Sequence, residues 1–228
     1  MTLASVGVES QRRFLAYAAH ELRGEVALQR TLAEVALADV DADRAALRKM
    51  GERIVVACER QERLLAALLT LSQAGSGSLR REPVDLAATA AEVLLAQDHH
   101  DLESTASLEP ALTTADPHLV ERLVANLVAN AVRHNVPGGR FDIATHTATG
   151  HAIFTIANTG PPIPGDELPR LFQPFQRLGA RAGSSNDGVG LGLAIVHAIA
   201  SAHHASVTAY SRMSSGGLGI DVAFPALN

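Results

Sequence analysis

Between residues 9 and 37 the inward-type positions recur in steps of four and three. Leu15, Ala19, Leu22, Val26, Gln29, Ala33 and Ala36 fall on one line of a helix, the spacing of a coiled-coil seam. Gly24 sits inside this helix and costs about 1 kcal/mol of propensity against Ala. The rhythm breaks over residues 37–44, LADVDADR, where Asp39, Asp41 and Asp43 suit helix capping. A second helix follows over residues 43–73. Its seam is Ile54, Cys58, Gln61, Leu65, Leu68 and Ser72, with Val55, Leu64 and Leu69 beside it. Two long helices and a short turn predict an antiparallel hairpin. One hairpin buries little, so the pattern predicts a dimeric four-helix bundle made by two copies. The alternative is that the pair packs on the rest of its own chain.

The pattern then changes. Residues 74–83, AGSGSLRREP, have linker composition. This divides the chain into a helical hairpin over residues 1–75, a linker over 76–83 and a second unit over 84–228. Residues 84–97 and 118–135 read as helices, with Pro117 near the first turn of the latter and PGG at 137–139 as its stop. RFDIATHTA and HAIFTIAN alternate with period two across a turn at Gly150, as paired strands do. A helix over residues 190–204 follows a glycine-rich stretch, and SVTAYSR and LGIDVAFP read as two more strands. The fold class is therefore α+β: a helical hairpin, then an α/β sandwich with helices layered on a mixed sheet.

Composition narrows the function. Hydrophobic residues make up 47% of the 228 positions and charged residues 19%, enough for a packed core. The net charge is −5, and residues 81–228 carry 8 bases against 14 acids. That is a poor footprint for nucleic acid. The single cysteine, Cys58, cannot form an internal disulfide, which fits a reducing compartment. No apolar run reaches the roughly 18–20 residues that cross a bilayer. These features predict no direct membrane insertion and a cytoplasmic chain, either alone or as a part of a longer membrane protein.

Five separated strings carry a recognisable pattern: FLAYAAHELR (14–23), NLVANAVRHN (126–135), NTGPPIP (158–164), LFQPFQR (171–177) and GVGLGLAIV (188–196). In this order, with a closing GGLGIDVAFP, the chain resembles the catalytic core of a sensor histidine kinase of two-component systems. The strings look like the phosphoacceptor box, the N box, the first glycine box, the F box and the second glycine box, and they span nearly the whole chain. The resemblance implies a dimerisation and phosphoacceptor hairpin followed by an ATP-binding sandwich of the Bergerat type. It also implies a protein-histidine kinase that uses ATP and Mg²⁺, works as a homodimer, and passes phosphate to the receiver domain of a response regulator.

The resemblance assigns His20 as the nucleophile, whose ring is largely neutral at pH 7 because its reference pKa is about 6.5. Glu21 matches the base that takes the other ring proton. Ala19 and Leu22 lie on the seam, so His20 should point outward; a solvated histidine would look the same. Arg23 either steers phosphate or is a solvated charge. Asn130 matches the Mg²⁺-binding asparagine, an amide oxygen being a suitable hard ligand. Asn126 lies one turn earlier and can face the same site, although both could be plain helix-surface residues. Arg133 and His134 match positions that flank the phosphates. Asn158 stands where the family usually has an Asp that reads adenine; its amide can still accept and donate. Gly160 would let the backbone approach the base. Gly188, Gly190 and Gly192 precede a helix whose first N–H groups can hold phosphate. Phe172 and Phe175 are either lid anchors or core, His203 and His204 read as ordinary helix-end residues, and Cys58 as seam filler.

Gly24 and Glu25 replace the Thr-Pro that usually follows the phosphoacceptor box. In the family that Thr is associated with removing phosphate from the partner, so weak or absent phosphatase activity is expected. These departures and Asn158 also motivate an alternative, a degenerate kinase acting as a dimeric nucleotide-binding or scaffold module. A third reading is another ATPase of the same superfamily, against which the hairpin and the HELR string argue.

Overall fold

The computed structural model describes residues 23–24, 26–38, 43–75, 79–97, 102–176, 190–212 and 216–227. The chain divides into two compact units, Met1–Leu69 and Thr70–Asn228.

In the first unit, residues 26–38 form helix α1 and Arg44–Gly75 begins as helix α2. Asp43 caps α2: its Oδ1 accepts from Ala46 N at 2.7 Å, satisfying one of the donors that a helix start leaves free. The two helices meet where Gln29 Nε2 donates to Cys58 Sγ at 3.4 Å. The most buried positions of α2 in this unit are Ala57 and Leu64, one heptad apart. Within the single chain they form the buried line, and Cys58 and Leu65, both on the expected seam, stand exposed beside it.

The second unit is built on a five-stranded mixed sheet in the order β2-β4-β5-β7-β6. Its strands are β2 (Glu103–Leu108), β4 (Arg140–Ala148), β5 (His151–Asn158), β6 (Ser206–Ser211) and β7 (Leu218–Pro225). Only the β2–β4 pairing is parallel. A small antiparallel pair, β1 (Glu82–Asp85) with β3 (Leu112–Ala115), stands beside it. Helices α3 (Leu86–Ala96), α4 (Pro117–Arg133) and α5 (Gly192–Ala202) cover one face, with α4 packed between the other two. The alternation that predicted the strands is the alternation of burial. Phe141, Ile143 and Thr145 on β4 and Ala152, Phe154, Ile156 and Asn158 on β5 point to the helices. Their neighbours in sequence face outward.

The structure differs from the sequence reading before α4. Strands β1, β2 and β3 lie in segments read as linker, as the start of a helix, or left unassigned. β2 is an edge strand with almost every side chain exposed, so it carries no burial alternation. The helix expected over residues 84–97 begins only at Leu86, because Asp85 is its N-cap: Oδ1 accepts from Ala87 N and also from Ala111 N, each at 3.0 Å.

His203 is not an ordinary helix-end residue. It is 2% exposed at the C-cap of α5. Its Nδ1 donates to Ile199 O at 2.8 Å, and its Nε2 accepts from Asp116 N at 2.9 Å. Burial holds its pKa below the ordinary 6.5. The bond to Ile199 O and the Asp116 carboxylate work the other way, and Arg81 and His204 work with burial. The unfolded chain therefore binds this proton more readily than the folded one, and protonation would also remove the acceptor that Asp116 N uses. The stability His203 contributes is complete above about pH 6.5 and is lost as the pH falls toward its folded value. The urea midpoint of His203→Gln is expected to fall less between pH 7.5 and 5.5 than that of the parent. Equal falls would show that His203 does not carry this dependence.

Candidate functional site

Helix α4 is the spine of the site. Asp116 caps it, accepting from His118 N and Leu119 N, and Pro117 occupies the first turn, where no N–H is needed. Leu119, Val120, Leu123, Val124, Leu127, Val128 and Ala131 bury its apolar stripe. This fixes the rotation of the helix and sets Asn126 and Asn130 on the shoulder of the stripe, both half-buried. Asn126, Asn130 and His134 follow at intervals of four, so they form a row rising about 6 Å per step.

Each end of that row meets a glycine. At the lower end, a β-carbon built on Gly192 would stand 3.4 Å from Asn126 Oδ1. Asn126 Nδ2 turns back to its own helix and donates to Arg122 O at 2.7 Å, which leaves the oxygen on the Gly192 side. Gly192 opens α5, whose N-cap, Leu191, provides no side-chain hydrogen bond. The first N–H groups of α5 are thus not capped by that residue, the condition under which a helix start holds an anion. Gly190, at φ +73°, is pinned to the F-box segment: Phe175 N donates to its carbonyl at 2.8 Å. Phe172, on the short 3₁₀ helix Leu168–Phe172, lies 5.9 Å ring to ring from His197 of α5. Phe172 and Phe175 are half-buried, and His197 is exposed.

At the upper end, a β-carbon on Gly160 would fall 2.8 Å from the His134 carbonyl oxygen and 3.4 Å from Asn158 Nδ2. His134 is the C-cap of α4 and donates its N–H to Asn130 O at 3.0 Å. Asn158 closes β5, is 4% exposed, and donates from Nδ2 to Thr159 O at 2.7 Å. Asn158, Gly160 and His134 therefore meet at one end of the row, and Asn126 and Gly192 at the other. Asn130 lies one turn from each. Among the described residues its side-chain amide makes no hydrogen bond. Its free oxygen is a suitable donor for a hard cation held beside phosphate oxygens.

Arg133 is exposed in the last turn of α4, and Arg23 is exposed on a helical stretch of the first unit. His20, Glu21 and Gly188 lie outside the described residues. The glycine pair at 216–217 carries a structural role that the sequence reading did not assign. Gly217 is buried at φ +92°, and a β-carbon there would stand 2.9 Å from Gly160 N and from Asn158 C. The signal was present in GGLG at the head of the closing strand.

Residues 10–77 match the His Kinase A (phospho-acceptor) domain, and residues 115–227 match the histidine kinase-, DNA gyrase B- and HSP90-like ATPase family. The chain belongs to the sensor histidine kinase family. It is 39% identical over 222 residues to sensor protein CutS of Streptomyces coelicolor, covering 95% of this chain and 53% of that protein. It is 31% identical to sensor protein kinase PmrB of Pseudomonas aeruginosa over 226 residues, covering 96% and 46%. The chain thus spans about half the length of these histidine kinases. Its fold is also that of the histidine kinase ThkA solved in complex with response regulator TrrA. That likeness has a TM-score of 0.72 at 20% identity, covering 94% of this chain and 61% of that one. The ATPase match ends one residue short of the C-terminus and takes in all of α4, β5 and α5. The row of asparagines and glycines therefore falls inside the ATP-binding domain of the family.

Proposed function

We propose that this chain is the ATP-dependent autophosphorylating core of a sensor histidine kinase, which phosphorylates His20 and passes the phosphate to an Asp of a separate response regulator. The observation that carries the reading is the row Asn126–Asn130–His134, bounded by Asn158 and Gly160 at one end and, at the other, by the start of α5, to which Leu191 gives no side-chain cap. This arrangement suits an elongated ligand with a flat heterocycle at one end and anionic groups at the other. Asn158 reads the base edge through its amide, and Gly160 keeps the backbone low enough for the ring to approach. The N–H groups at Gly190–Gly192 receive phosphate oxygens. Asn130 supplies an oxygen to Mg²⁺, which when bound neutralises charge on the phosphates. On the hairpin, a ring nitrogen of His20 forms the bond to the γ-phosphorus as the bond to the ADP oxygen breaks, and Glu21 takes the other ring proton. Arg23 is close enough in sequence to steer the transferred group.

The reading includes a homodimer. Val26, Val35, Val55, Leu65 and Leu69 are exposed in the single chain, and covering the roughly half of each that is still exposed stabilises by about 1 kcal/mol. A second hairpin supplies that cover as a four-helix bundle. Among the described residues no helix is long and apolar enough to cross a membrane. The reading places the chain in the cytoplasm, alone or as the cytoplasmic part of a longer membrane-bound sensor. The scaffold alternative is not favoured, because Asn126, Asn130, Gly160, Gly190 and Gly192 are all retained. The test is incubation of the pure chain with γ-labelled ATP and Mg²⁺. Label that is acid-labile and base-stable is expected, and a chain that binds ATP without taking up label would overturn the kinase reading.

Gly24 bears on the reverse reaction. It offers no hydroxyl to position water, so dephosphorylation of the phosphorylated regulator should be slow. A β-carbon at Gly24 meets no atom within 4 Å, so a threonine fits there. Gly24→Thr is expected to raise the Mg²⁺-dependent phosphatase rate at least several-fold; a parent rate already as fast as the variant's would refute the assignment.

A further inference from the structure

The loop between α4 and β4 contains a polar cluster that none of the nucleotide-facing residues belongs to. Asn135 follows the C-cap of α4, and Thr159 lies between Asn158 and Gly160. Thr159 Oγ1 donates to Asn135 Oδ1 at 2.6 Å and accepts from Arg140 N at 2.9 Å. Asn135 Oδ1 also accepts from Val136 N at 3.0 Å, and Asn135 Nδ2 donates to Arg140 O at 3.1 Å. Thr159 N donates to the same carbonyl at 2.9 Å. Every polar atom of the two side chains is thus engaged, and together they join the end of α4, the first residue of β4 and the exit of β5.

A second observation is independent of these bonds. Gly139, the last residue of the PGG stop, has no unusual φ, yet a β-carbon there would stand 2.8 Å from Val136 O and would fall on Asn135 Oδ1 and Thr159 Oγ1. Gly138 has φ +65° and open space around it. The first glycine of the pair permits the turn, whereas the second leaves room for the clasp. A helix stop needs only one of them.

We infer that Asn135 and Thr159 are positioning residues for nucleotide recognition: their clasp sets Asn158 and Gly160 against His134 and so fixes which base the pocket accepts. This rests on the nucleotide site proposed above. Thr159 is the link between the two residues at the base end, and it has no rotational freedom while both its bonds hold. Without the hydroxyl, Arg140 N loses its acceptor, Asn135 Oδ1 loses one of its two donors, and the 158–160 backbone is released from the end of α4.

The test uses the full chain and measures ATP and GTP binding calorimetrically in the parent, Thr159→Val, Asn135→Ala and Thr159→Ser. Thr159→Val and Asn135→Ala are expected to bind ATP at least about tenfold more weakly and to show a smaller ATP-to-GTP ratio. Thr159→Ser, which keeps the oxygen, is expected to stay within about twofold of the parent in both. Loss of thermal stability alone would accompany any structural role, so the base ratio is the deciding readout. Folded Thr159→Val and Asn135→Ala chains with the parent's ratio would overturn the clasp and leave the kinase reading standing. A parent that binds neither nucleotide would overturn both.

Discussion

His20→Ala is expected to bind ATP with the parent's affinity and to take up no acid-labile phosphate. The expectation follows from the division of labour along the chain. His20 falls in the segment matching the phospho-acceptor domain, while the row of α4 falls in the segment matching the ATPase family. In the proposed reading, removing the imidazole deletes the phosphoacceptor atom and leaves the proposed nucleotide site on α4 untouched. Asn130→Ala should behave in the opposite sense. Its amide makes no hydrogen bond among the described residues, so the melting temperature of the nucleotide-free chain should change little. Mg²⁺-dependent ATP affinity should fall on the order of a hundredfold, the scale on which metal sites respond to losing a supporting group, and labelling should fall with it. Calorimetry and labelling with γ-labelled ATP on the same preparations separate the two. A His20→Ala chain that still acquires acid-labile, base-stable label would place the phosphoacceptor elsewhere.

Gly217→Ala should be the most damaging single methyl in the ATPase unit. The residue holds φ +92°, a region that costs a residue bearing a β-carbon about 1–3 kcal/mol. Its N–H donates to Pro161 O at 3.2 Å and its carbonyl accepts from Arg212 N at 3.3 Å. The chain cannot rotate away from the strain without breaking both. The added carbon would strike the Asn158 carbonyl and crowd Gly160 N, and such overpacking costs about 1–3 kcal/mol more. A loss of about 2–6 kcal/mol is a large part of the 5–15 kcal/mol that holds a domain together. It corresponds to a melting temperature lower by roughly 10 °C. ATP binding should suffer as well, because the displaced atoms belong to Asn158 and Gly160. Gly138→Ala is the control: its φ is +65° but nothing lies within 4 Å, so only about 1 kcal/mol is expected. Equal melting temperatures for the two variants would refute the steric account.

The elements that could be read from sequence were those whose burial pattern is local. Helix α4 repeats its apolar positions over 17 residues, and β4 and β5 alternate over nine and eight. Strand β2 has polar or small side chains on both faces except Leu108, and β1 contains a proline and only four residues. Both exist because a neighbouring strand is there to pair with, which no local pattern encodes. The site divides along the same line. Asn126, Asn130, Asn158 and the glycines stand out as residue types that an apolar framework does not call for. His203 and Gly217 do not stand out, since their roles come from Asp116 and Asn158, distant in sequence and brought against them only by the fold.

Asn158 has a further consequence. Its 4% exposure would penalise an ionised carboxylate at that place, and an acid there would gain or lose its proton with the surroundings. An amide carries no such equilibrium. The contribution of Asn158 to discrimination of the purine should consequently not titrate, even at a pH where His203 is already weakening the scaffold.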